Sequence, residues 1–219
     1  MTLIRDEFIC GLDIGKSQDN SALAIVRHTI SQEPVTAPPL YANPTTHREP
    51  KVERFDLVHL QRLPLRMNYV AQGLAVKEIL SREPLASGKT RLIADSSGVG
   101  EGVLDLMEAQ GLRMTRIKIT AGTEVTQTGG ERFNVAKSVL MSKLEAAMHD
   151  RRLQVAASLS EAENFKNELQ NFERRVTAAG QNTWSARGSE SDDIVLAVSY
   201  CVWWCTSRIG EFTREELRL

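Results

Sequence analysis

The stretch FICGLDI, residues 8–14, runs directly into GKSQDN, residues 15–20, and then into SALAIVRHT, residues 21–29. The outer two segments are short apolar runs, and the middle one is built from turn-forming Gly, Ser, Asp and Asn, so the whole reads as a β-hairpin. Its first strand ends on an acid, Asp13. Residues 51–63, KVERFDLVHLQRL, alternate apolar and polar positions, which predicts a third strand. Between them, residues 30–50 hold Pro34, Pro38, Pro39, Pro44 and Pro50 with little periodicity and read as an exposed excursion.

Working outward, Val70, Leu74, Val76, Ile79 and Leu80 have helical spacing and predict a helix over 68–82. Residues 90–94 read as a strand, 98–110 as a helix closed by Gly111, and 114–119 as another strand. Such a strand–helix–strand unit is nearly always parallel and right-handed. Residues 121–130 are rich in Gly and Thr and read as a loop, followed by an amphipathic helix over 132–149 and a second over 159–172. Trp184 falls on a short strand or hairpin, and a helix over 191–206, apolar nearly all round, should be buried against the sheet. Residues 207–219 read as a tail. With no internal repeat and no domain boundary, residues 1–219 read as one domain. Three leading strands followed by parallel units give a mixed sheet of five or more strands flanked by helices, the order of an RNase H-like α/β fold.

The bulk composition frames what such a fold does. The chain has 219 residues, 42% hydrophobic and 25% charged, with a formal net charge of −1, so contact with a polyanion must come from a local basic face. Cys10, Cys201 and Cys205 sit in apolar stretches without a CxxC pair, and His28, His47, His59 and His149 lack ligand spacing. These patterns disfavour a disulfide framework and a zinc site. The first ten residues carry acids and no apolar signal core, and the longest apolar run, 194–205, is too short to span a bilayer, so a cytoplasmic protein without membrane contact is expected.

Three acidic positions stand out. Asp13 ends an apolar strand, where α/β sheets place ligands and catalytic groups. TRLIAD repeats the arrangement at Asp95, before the Gly-rich SSGVGEG. Taken singly, each reads equally well as a turn or cap aspartate. If the two strands are neighbours, about 4.8 Å apart, their carboxylates can converge on one cation. In GSESDDIVLAVSYCVWW, Glu190, Asp192 and Asp193 stand at the start of the last helix, which is more acid than a cap requires. Glu190 and Asp193 are three apart and share a face, whereas Asp192 points about 100° away from Asp193, which makes Asp193 the preferred third ligand. Such acids suit magnesium or manganese, hard ions bound by carboxylate and water.

GLDIGKSQDNSALAIV, LIADSSGVGEGVLDLM, GERFNVAKSVLMSKLEAAM and SESDDIVLAVSY, in this order, resemble the successive blocks of the nuclease domain of phage terminase large subunits, over residues 8–204. The resemblance implies an endonuclease that cuts double-stranded DNA during packaging, using two magnesium or manganese ions. It implies Asp13, Asp95 and Asp193 as catalytic metal ligands, with Asp192 and Glu190 as further acids of the metal site. Ser191 stands where the family often has His, so the division of roles between Asp192 and Asp193 stays open. The family usually carries an ATPase motor, and the resemblance also implies a portal and a small terminase subunit as partners. This chain has no Walker A loop: SGKT at 87–90 has Glu83 where the leading Gly belongs and precedes a strand. An excised or a separately encoded nuclease domain is therefore expected.

Arg132 and Lys137 fall in the family-like GERFNVAK block and are the favoured phosphate contacts; Lys16 and Arg187 lie next to the acids and are further DNA-binding candidates. Phosphate contacts position DNA without reading its sequence. Trp203 and Trp204 are read as core residues. Competing readings are a Holliday-junction resolvase of the same fold, an actin-like ATPase suggested by GLDIGKS, and a non-catalytic docking module in which the acids only cap turns.

Overall fold

The opening hairpin forms as its composition dictates, β1 (Thr2–Asp13) pairing antiparallel with β2 (Ala22–Gln32) and Asp13 lying opposite Ala22. In this computed structural model the described residues are 2–15, 19–32, 51–98, 100–176, 182–186 and 191–207, with side chains at 172–176 and 182–186 left aside. Residues 33–50 of the proline-rich excursion, and the tail from 208 onward, lie outside them.

β3 (Lys51–Arg62) adds antiparallel to β2. α1 (Tyr69–Leu80) then starts where the Asn68 side chain accepts the Ala71 N–H at 2.8 Å. β4 (Thr90–Asp95), α2 (Gly100–Ala109) and β5 (Met114–Thr120) form the expected unit, with β4 parallel to both β1 and β5.

Downstream the structure departs from the sequence-based expectation. Part of the expected loop at 121–130 is β6 (Val125–Gly129), and the first turn of the expected long helix is β7 (Arg132–Ala136). Gly129 and Gly130 both have positive φ and turn the chain between these strands, and β7 pairs parallel with β5. The helix α3 (Lys137–His149) begins only after β7, so Arg132 lies on a strand and not on that helix. A short strand, β8 (Leu153–Val155), lies parallel to β3. α4 (Ala162–Asn171) follows, then a separate hairpin, β9 (Phe172–Val176) with β10 (Asn182–Ala186), and finally α5 (Asp193–Ser207).

The sheet order is β6-β7-β5-β4-β1-β2-β3-β8, a mixed eight-stranded sheet. It divides the core in two. On one face α3, α4 and α5 bury Ile9, Ile93, Leu140, Phe165 and the apolar body of α5; on the other α1 and α2 bury Cys10, Leu92, Val76 and Leu104. α5 is buried from Asp193 to Cys205, as an all-round apolar helix must be. Trp203 and Trp204 pack edge-on against Phe133 of β7, with ring centroids 5.7 Å and 6.0 Å away. Gly11 explains why α5 lies so close: a Cβ there would fall 2.0 Å from the Ala197 carbonyl oxygen. Among the described residues, no helix is long and apolar enough to cross a membrane.

Midway along β1 and β2 the sheet buries an ionisable cluster. His28 is fully buried, its two ring nitrogens 3.1 Å and 2.9 Å from Glu7 and Glu53, and Arg152 pairs with Glu53 at 2.7 Å. Burial alone would lower the His28 pKa, but the two glutamates outweigh it and the net direction is up. A raised histidine pKa contributes stability that is complete below the unfolded value of 6.5 and is lost as pH climbs through the folded value. The thermal midpoint should therefore fall as pH rises above that point. His28→Gln should flatten this slope, leaving the part owed to the raised carboxyls such as Glu168, and an identical pH profile in the variant would refute the assignment.

Candidate active site

β1, β3, β4, β5 and β7 all run in one direction, so their carboxyl ends share one edge of the sheet. That edge is where α/β sheets collect ligands. Asp13 and Asp95 end adjacent strands: Leu12 and Ala94 are register partners, and both chains step off together one residue later. Arg62 ends β3, and Lys137 opens α3 directly after β7. α5 enters at the same edge with Asp193 as its first residue.

Each acid is held differently. Asp13 is 8% exposed, and its Oδ1 accepts the Tyr200 hydroxyl at 2.6 Å. Burial pushes its pKa well above the usual carboxylate range; the Tyr200 bond draws it down, and Asp95, Asp193 and Asp192 push it up again. Asp95 is half-buried and accepts the Ser97 N–H at 2.9 Å, the bond of an Asx turn. Burial raises its pKa too, against the hydrogen bonds at Ser97. Gly100 lets α2 start close behind it, since a Cβ there would meet the Asp95 carbonyl oxygen at 2.4 Å.

Asp193 is 6% exposed, with its pKa raised chiefly by burial. Its Oδ2 is buried without a hydrogen-bond partner, 3.7 Å from Arg62 Nε. Asp192 is half-buried, accepts a bond from Lys137 Nζ at 2.7 Å, and lies close enough to Asp13 and Asp193 to push their pKa values up. Three expected site residues, Lys16, Arg187 and Glu190, lie outside the described residues, as does the Trp184 side chain. Arg132 is exposed at the amino end of β7, opposite in strand sense to the carboxyl ends that carry the acids, and pairs with Glu101 of α2.

Three further residues at this edge were not among the expected site residues. Tyr200 lies seven residues after Asp193, two helical turns along the same face of α5, which aims its hydroxyl back at Asp13. Glu168 stands on the apolar face of α4 among Phe165 and Leu169, and that placement of an acid is a readable signal. Its Oε2 accepts the N–H groups of Ile194 and Val195 at 3.1 Å and 3.0 Å, capping α5 from another helix. Burial pushes the Glu168 pKa up to about 7, against the Val195 N–H and Arg62. Arg62 pairs with Glu168 through Nη2.

The donor set is of one chemical kind. Carboxylate oxygens from three separate elements, one of them buried without a partner, suit a hard divalent cation better than a soft one. Among the described residues, no three acidic, His or Cys side chains are yet gathered into a closed group around one point.

Comparison with solved structures decides the fold. The large terminase nuclease from thermophilic phage G20c superposes with a TM-score of 0.61 over 90% of this chain and 81% of its own, at 20% identity. The chain has the large terminase nuclease fold. The same G20c nuclease with bound magnesium gives a TM-score of 0.58 at 21% identity, covering 91% of this chain and 82% of the other. The nuclease domain of Thermus phage P74-26 gives 0.57 at 20% identity, covering 90% and 78%. No protein-family model matches the chain, and no curated protein does. On this terminase-nuclease scaffold, Asp13, Asp95 and Asp193 share one edge.

Proposed function

We propose that this chain is a divalent-metal-dependent endonuclease that cleaves double-stranded DNA, the nuclease of a phage packaging terminase. The observation that carries this reading is the arrival of Asp13, Asp95 and Asp193 from β1, β4 and α5 at one edge of a sheet with the terminase-nuclease fold. The G20c neighbour has also been solved with magnesium and with cobalt. Two magnesium or manganese ions would supply an activated water and charge stabilisation at the leaving oxygen.

The chain's own residues have separable parts in this. Asp13, Asp95 and Asp193 would hold the ions from β1, β4 and α5. Glu190 would be a further acid of the same site. Tyr200 fixes the rotation of Asp13. Asp192 holds Lys137 beside the site, from where the ammonium can meet a phosphate once it leaves the carboxylate. Arg132, Lys16 and Arg187 extend the path for the DNA backbone, and Arg132 must likewise exchange Glu101 for phosphate. In a packaging complex the domain would act beside an ATPase motor, a portal and a small terminase subunit, in the host cytoplasm.

The test is incubation of supercoiled plasmid with the protein and magnesium, manganese or chelator. Nicked and linear products should form with either metal and not with chelator. Cleavage that persists in chelator, or none with either ion, would overturn the reading.

A further inference from the structure

Arg62 and Glu168 form a bridge between the sheet, α4 and the first turn of α5. Arg62 closes β3 and is half-buried, and Glu168 is a buried acid on the core face of α4. The two oxygens of Glu168 are divided between tasks: Oε2 takes the Ile194 and Val195 N–H groups, and Oε1 takes Arg62 Nη2. The guanidinium is thereby held with Nε facing Asp193 Oδ2 at 3.7 Å, beyond hydrogen-bond range. Both of those atoms are buried, and neither has a hydrogen-bond partner. A buried donor and a buried acceptor that face each other and stop just short are a contact left open, because closing it would satisfy both.

We infer that Arg62 is a positioning residue for Asp193: held by Glu168, it engages Oδ2 and so fixes the carboxylate with its other oxygen, now hydrogen-bonded by Ser191, directed to exchange that bond for a metal ion. The inference rests on the metal-nuclease reading given above. The planar fork of arginine matters here, since one edge is spent on Glu168 while Nε serves Asp193, and the single ammonium of lysine cannot serve both in fixed directions. Groups that orient a metal ligand in this way typically influence affinity by about 10–100-fold. Glu168 has a double part, since it aims Arg62 and also fixes the backbone from which Asp193 projects.

The experiment measures binding of manganese alone, without DNA, by titration calorimetry on wild type, Arg62→Lys and Arg62→Gln, with unfolding followed separately in chelator. Arg62→Lys keeps a cation beside Glu168 and should stay folded, yet bind manganese about 10-fold more weakly. Arg62→Gln should lose at least as much. Wild-type affinity, or tighter binding, in folded Arg62→Lys would overturn the positioning role while leaving the nuclease reading intact. If the wild-type protein bound no manganese, both would fail together.

Discussion

Asp13→Asn is expected to abolish metal-dependent DNA cleavage and to leave the fold intact. The carboxylate sits at the end of a buried central strand, and its Oδ1 accepts the Tyr200 hydroxyl. Asparagine keeps the shape and an acceptor oxygen for that hydroxyl, so only the charge is lost. A hard cation depends on that charge. The substitution should also do no harm to the metal-free protein. A carboxyl whose folded pKa is raised contributes its full stability only below its unfolded value of 3.8 and loses it as pH climbs through the folded value. At neutral pH, Asp13 therefore destabilises the metal-free fold, and asparagine has no such charge to bury. In chelator the variant should melt at or above the wild-type midpoint. Normal cleavage by Asp13→Asn would end the metal-nuclease reading, and a large drop in its midpoint would show that the carboxylate is structural.

Manganese should raise the thermal midpoint of the wild-type protein, and Asp193→Asn should cancel the rise while Asp192→Asn keeps most of it. Asp13 feels Asp95, Asp193 and Asp192 as like charges, and a cation relieves that repulsion only in the folded state. A ligand present at about one hundred times its Kd contributes about 2.7 kcal/mol, which for a chain of this size moves the midpoint by about 5–10 °C. The two adjacent aspartates differ in their surroundings. Asp193 stops 3.7 Å short of Arg62, beyond hydrogen-bond range, whereas Asp192 is already closed on Lys137 at 2.7 Å. A carboxylate already hydrogen-bonded to a cation gains less from an ion. Differential scanning fluorimetry with and without manganese separates the outcomes. A full shift in Asp193→Asn together with no shift in Asp192→Asn would reverse their roles.

Local sequence was sufficient for much of this architecture. The apolar runs around GKSQDN, the alternation of residues 51–63, and the strand–helix–strand pattern ending at Ile119 correspond to β1 to β5, because each pattern records which face of an element is wet. It also marked Asp13, Asp95 and the DD pair, since an acid ending an apolar run is conspicuous. What it could not decide were features whose cause lies far away in the chain. β7 is a strand because β5 offers it a parallel edge, and nothing within residues 132–136 outweighs their continuation into a helix. β8 is three residues long and exists only by pairing with β3. Arg62 and Glu168 are separated by 106 positions, and Tyr200 and Asp13 by 187. Sequence periodicity is blind to such pairs, because it reports the exposure of each element and not which element packs against it. The strand ends and their acids were thus determined by the sequence itself. Only the tertiary structure decided which buried groups hold those acids in place, because a partner is chosen by packing across the sheet and not by neighbours along the chain.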